Sequence, residues 1–257
     1  MTLILNEIHL LNGLQTTLLI ATADRQITKQ DGTFDSLLTK LFAIPYLNGA
    51  VSYFGLATVY PKGQSQYLST WMPDFIRRHS SADNLQSFAE RLRNEVSQII
   101  SPAVLQTCGS GFHICGYNSM GLPDFWYFSN IGGMKGFQYI DLKPQYTYPK
   151  SHFLCRGATK VFGWDGNDPL SAKNGVQVYR NGDFRAHVAS WESLDEIFGR
   201  LFQFPDFKLP ANPNEYGEYV KFKFEFIAYL YRKWAKKKII GRPIDVLVLH
   251  SPNQEKN

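Results

Sequence analysis

The first two dozen residues constrain this chain most. Residues 2–9 and 15–23 are both rich in Leu, Ile and Thr, and Asn12-Gly13 lies between them. Asn-Gly accepts positive φ at both turn positions, so the segment predicts a β-hairpin. With the turn centred on Gly13, Thr2 falls opposite Asp24 at the open end of the ladder, with both side chains on one face. The next strand-like segment, residues 37–44, carries Lys40 in Leu38-Thr39-Lys40-Leu41. A lysine between apolar neighbours on a buried strand needs an anionic partner, and Asp24 can supply it.

Thr2 directly follows the initiator Met, and a residue as small as threonine permits removal of that Met. Removal leaves a hydroxyl and a free α-amine on one residue. The ordinary amine pKa of roughly 7.7–8.0 makes such a residue its own general base. A nearby lysine lowers the hydroxyl pKa and supports proton transfer. The bland alternative is a threonine that merely starts a strand, with Asp24 and Lys40 as a structural ion pair.

Further along, apolar spacing predicts helices over about 64–79 and 82–100, the second capped by Asp83 or Asn84. Strands are expected at 50–57, 111–117, 124–131, 136–142 and 152–156. Asn181-Gly182 reads as a second hairpin turn between strands 176–179 and 184–188. Helices follow at 193–202 and about 213–238, and a last strand at 244–250. Residues 219–226 fit both a strand and a helix period. The helical spacing continues through Leu230 and Trp234, so a helix is predicted. This order of elements predicts an α+β fold.

Composition removes several function classes. Of 257 residues only 19% are charged, too few for a disordered, solvating chain. No uninterrupted apolar run is long enough to cross a bilayer. The first residues lack a basic n-region and a small-residue cleavage site, so no signal peptide is expected. Cys108, Cys115 and Cys155 form no CxxC pair, which argues against a disulfide framework or zinc knuckle and for a reducing, cytoplasmic location. The six histidines show no HExxH spacing, and no metal or cofactor is expected. The net charge of +5 is mild, and its one cluster, Arg232 to Lys238, reads as cations at a helix C-terminus rather than a nucleic-acid surface. The 15% aromatic content fits a large core or a self-association surface. With no repeat or linker-like stretch, residues 1–257 are expected to form one domain.

Several of these segments resemble one family. Leu19-Ile20-Ala21-Thr22-Ala23-Asp24-Arg25 resembles the A-D-S-R strand end of proteasome β-subunits and of the bacterial protease that forms a similar double ring. Lys40 falls at the interval after Asp24 where that family places its catalytic lysine. Ser52-Tyr53-Phe54-Gly55-Leu56-Ala57 resembles its A-G-G-x-A strand and turn, which supplies a backbone N–H to an oxyanion. The run Ile240-Gly241-Arg242-Pro243-Ile244-Asp245-Val246 resembles its G-G-P-I-D-V final strand.

The resemblance implies the four-layer αββα sandwich of N-terminal nucleophile (Ntn) hydrolases and a ring or helical homo-oligomer. It implies hydrolysis of peptide or other amide bonds by Thr2, with Asp24 and Lys40 in support and backbone N–H groups at Phe54 and Gly55. It covers most of residues 2–131 and 213–250, while 156–212 has no match. The Thr2–Asp24 interval is longer than the family's, Phe54 stands where the family has Gly, and the later Ser/Asp/Ser support group has no assigned counterpart. Ser110 and Asp165 are left without a role. The second expectation is therefore the same fold kept as a non-catalytic assembly or binding subunit.

Overall fold

Strands Leu3–Asn12 and Thr16–Asp24 form the N-terminal hairpin, one residue away from the expected register. Ile4 pairs with Ala23, Leu5 with Thr22 and Leu10 with Thr17. The cause lies at the turn. Gln15 N–H bonds the Asn12 carbonyl at 3.2 Å, Gly13 takes positive φ while Asn12 does not, and the ladder is irregular between Leu10 and Asn12. The loop is therefore wider than a two-residue Asn-Gly turn. A one-residue slip exchanges the two faces of a strand. Here both faces are buried: Ile4, Ile8, Leu19 and Ala21 enter one core, and Leu3, Leu5, Leu18 and Ile20 another. Either register buries apolar side chains on both sides, so the hydrophobic pattern could not choose between them.

The computed structural model describes residues 2–29, 31, 33–153, 160 and 162–252. Met1, Cys155 and residues 154–156 of the strand expected at 152–156 lie outside them. The chain folds as a mixture of helices and antiparallel sheets. One four-stranded sheet sets the hairpin between strands Gly175–Gly182 and Ile244–His250. A five-stranded sheet runs in the order Lys150–Ser151, Pro123–Ser129, Gly111–Tyr117, Gly49–Phe54 and Leu41–Ile44.

Three apolar seams hold these parts together. Val51, Phe112 and Ile114 of the five-stranded sheet pack with Trp71 and Phe75 of helix Leu68–Arg78 and Phe88 and Leu92 of helix Leu85–Ile99. Ile4, Ile8, Leu19 and Ala21 meet Ala50, Phe54, Cys115 and Phe125 between the two sheets. Leu3, Leu5, Leu18 and Ile20 pack with Val220, Phe224 and Ile227 of helix Pro213–Trp234. Burial of each Leu, Ile or Phe contributes roughly 1.5–3 kcal/mol, which makes these seams the main source of stability.

Local chemistry explains the helix starts. The Asn84 side chain accepts the Ser87 N–H at 2.8 Å, and Asn212 accepts that of Glu215 at 3.0 Å ahead of Pro213. The disputed stretch 219–226 lies inside the helix, which ends at Trp234 rather than Lys238. Two expectations need correction, and one helix was not foreseen. Residues 37–44 are two strands, Phe34–Leu37 and Leu41–Ile44, with Lys40 in the gap between them. Asn181-Gly182 ends a single strand, and residues 185–188, expected as its hairpin partner, open helix Arg185–Leu201. Pro102–Thr107 forms a short helix capped by Ser101, which the apolar spacing did not indicate. Among the described residues no helix is long and apolar enough to cross a membrane.

Two buried histidines give this core an acid limit. The His113 ring nitrogens each lie 2.7 Å from a side-chain amide, those of Asn6 and Asn181. His187 stacks on Trp191 at 4.5 Å, and neither of its ring nitrogens has a hydrogen-bond partner among the described residues. Burial pushes each down to about 3, helped at His113 by His152 and at His187 by Arg180. Both stay neutral in the folded chain, whereas unfolded histidine takes a proton near 6.5. Between about pH 6.5 and 3 the unfolded state binds more protons, so stability falls as pH falls, by up to about 1.4 kcal/mol per unit for each histidine. Denaturant unfolding at pH 7, 6 and 5 checks this. His187→Phe is expected to show a shallower loss, and an unchanged slope would remove His187 from the account.

Candidate active site

The open end of the hairpin brings Thr2, Asp24 and Lys40 together. The one-residue offset sets Asp24 beside Leu3, and the Asp24 carboxylate accepts the Leu3 N–H at 3.1 Å. The same oxygen accepts the Thr2 hydroxyl. Lys40 Nζ donates to Thr2 Oγ1 at 2.5 Å, to the Gln26 carbonyl at 2.6 Å and to Asp24 Oδ1 at 3.3 Å. All three ammonium donors are thereby used. Relative exposures are 3% for Thr2, 0% for Asp24 and 1% for Lys40, so water screens none of these contacts. Asp24 Oδ2 has no hydrogen-bond partner among the described residues.

Neighbouring backbone fixes the lysine. Leu38 N–H bonds the Arg25 carbonyl at 2.8 Å, Tyr53 N–H bonds the Lys40 carbonyl at 3.2 Å, and Tyr53 Oη–H bonds the Thr39 carbonyl at 3.1 Å. Gap residues 38–40 are thus held between the hairpin and strand Gly49–Phe54. Burial holds the Lys40 ammonium below its usual pKa, and Asp24 opposes that shift. The Arg25 guanidinium pairs with Asp245 of the last strand, at 2.8 Å from both carboxylate oxygens.

Phe54 and Gly55 form part of the wall of a small cavity that Thr2, Lys40 and Tyr53 also line. Its volume is about 20 Å³, enough for one water molecule. Gly55 has φ +86°, and an added Cβ would collide with the Gly109 carbonyl and lie 2.7 Å from Ser110. A side chain is excluded there on both counts. Ser110 therefore backs the site from behind, bonded to Asn130 and Tyr146 rather than to Thr2. Asp165 accepts the N–H groups of Asn167 and Asp168 in a turn.

Two neighbours of Thr2 escaped the sequence argument. Asp183 N–H donates to the Thr2 carbonyl at 2.8 Å. Gly182, at φ +98°, lies so close that a Cβ would overlap that carbonyl oxygen. A glycine read as a turn residue here permits close approach of two strands. Gln26 was missed as well, since it acts through its backbone carbonyl.

Chemically, the Thr2 oxygen sits between a cation able to stabilise an alkoxide and a carboxylate that orients the hydroxyl. Such an oxygen is a candidate nucleophile. Among the described residues no group of three or more His, Cys, Asp or Glu is arranged to hold a metal ion.

No family model and no curated protein sequence matches the chain. Among solved structures it is similar to Anbu (ancestral beta-subunit) from Yersinia bercovieri, at 9% sequence identity and a TM-score of 0.43, over 96% of this chain and 81% of that one. At that score the likeness settles neither architecture nor activity.

Proposed function

We propose that the chain is a single proteasome-like Ntn-hydrolase domain that cleaves peptide or other amide bonds with Thr2, after loss of Met1. The observation that carries this reading is the buried Thr2 hydroxyl held between Asp24 and Lys40. The three apolar seams support a four-layer αββα arrangement.

In this mechanism Thr2 Oγ attacks the amide carbonyl carbon and its proton passes to the freed α-amine. Backbone N–H groups at Phe54 and Gly55 stabilise the oxyanion. The C–N bond breaks as the leaving amine takes the proton, and water then hydrolyses the resulting ester. No cofactor enters, and the partners are a peptide or protein substrate and further copies of the chain in a cytoplasmic ring or helical assembly. Nucleic acid and membrane have no part.

The size of the cleft beside Thr2 favours a second reading, a non-catalytic assembly or binding subunit of the same fold. Peptide hydrolysis by the wild type and by Thr2→Ala separates the two. Activity that depends on Thr2 supports the first reading, and a stable oligomer without activity supports the second.

A further inference from the structure

The basic cluster after helix Pro213–Trp234 borders a groove that meets the candidate site at one residue. The groove has a volume of about 540 Å³, within the range of ligand sites. One wall is the turn and strand after Gln26, with Phe34 at 58% exposure; the other carries Tyr229 at 41%. Arg232, Lys236 and Lys238 add three cations, and none of them pairs with a carboxylate among the described residues. Arg232 lies over the Tyr229 ring at 5.4 Å. The fourth cation, Arg242, is matched by Glu225 at 2.5 Å. The acid that lines the groove, Asp31, is bonded to the Thr33 N–H and hydroxyl at 2.8 and 2.7 Å.

Gln26 joins this groove to the Thr2 site. Its backbone carbonyl accepts from Lys40 at 2.6 Å, its side-chain amide donates to the Lys238 carbonyl, and it lines both cavities. A macrodipole role accounts for Arg232 and Lys233 in the last helical turn. It does not account for Lys236 and Lys238, which follow the helix and face the groove.

We infer that this groove binds an acidic peptide segment, seating carboxylates on Arg232, Lys236 and Lys238 and apolar side chains against Phe34 and Tyr229. The inference rests on the reading of Thr2 as an amide-cleaving nucleophile and names the substrate class of that site. A peptide is favoured over a nucleic acid because the groove shares Gln26 with the proposed amide-cleaving centre.

The test uses two fluorescent nonapeptides that differ only in three Glu against three Lys. Their binding to the full-length Thr2→Ala protein is followed by anisotropy in low and high salt. The Glu peptide is expected to bind about tenfold tighter, from three exposed ion pairs worth a few-fold each, and to lose most of that preference in high salt. Arg232→Glu with Lys238→Glu is expected to abolish or reverse the preference. Both side chains are exposed, and Arg232→Gln with Lys238→Gln serves as a gentler pair that should halve it or more. Equal binding of the two peptides, or an unchanged preference in both variant pairs, overturns the inference. So does displacement of the Glu peptide by a single-stranded oligonucleotide at far lower concentration than by its unlabelled form. Turnover by the wild type tells the two readings apart. A retained Glu preference in binding with no cleavage sinks the Thr2 reading and keeps the groove, whereas equal cleavage of both peptides keeps Thr2 and sinks the groove.

Discussion

Replacing Lys40 with methionine is expected to lower the free energy of unfolding by about 3–5 kcal/mol at pH 7. The loss comes less from the ion pair itself than from what stays behind. Asp24 is fully buried, and one of its oxygens already lacks a partner among the described residues. Without the ammonium its charge faces only the Thr2 hydroxyl and the Leu3 N–H. Adding Asp24→Asn removes that charge, so the double variant is expected to recover most of the lost stability. Denaturant unfolding of the two single variants and the double variant checks this. A double variant no more stable than Lys40→Met would mean that the pair is not coupled.

The same lysine carries a pH signature. Burial holds its folded pKa below the usual 10.5, against the pull of Asp24. Between that lowered value and 10.5 the unfolded chain binds more protons, so the Lys40 contribution to stability improves as pH rises through that window. Lys40→Met is expected to lose this improvement.

The second large effect is on catalysis. Thr2→Ala is expected to lower kcat/KM for peptide hydrolysis by on the order of 10⁴–10⁶, as removal of a nucleophile does in other acyl-transfer sites. Thr2→Ser keeps the oxygen between Asp24 and Lys40 and is expected to retain measurable turnover. Stability should change less than rate, because each of the two buried hydrogen bonds of the Thr2 hydroxyl costs about 1–3 kcal/mol when lost. Equal rates for wild type and Thr2→Ala would show that any amidase activity arises elsewhere.

These effects centre on residues that could be read before the structure. Thr2, Asp24 and Lys40 were legible because a hairpin is a local object and a lysine between leucines and threonine demands a counter-charge. The register was not legible, because both strands are apolar on both faces and only the wider turn decides it. Contacts from distant chain were equally hidden. Gly182 and Asp183 reach Thr2 only because strand Gly175–Gly182 pairs with the first strand, and no spacing in the sequence connects them. Residues 184–188 alternate like a strand, yet the chain turns there into a helix. For residues 219–226 the longer period prevailed, since Val220, Phe224 and Ile227 share one buried face. Which face of the hairpin meets which seam came from the register alone.

The most direct measurement is peptide mapping by mass spectrometry after treatment with a β-lactone probe. The account predicts that the mature chain begins at Thr2, that the adduct sits on the Thr2 oxygen, and that Thr2→Ala takes up none. A chain that keeps Met1, or an adduct found equally in Thr2→Ala, would contradict it.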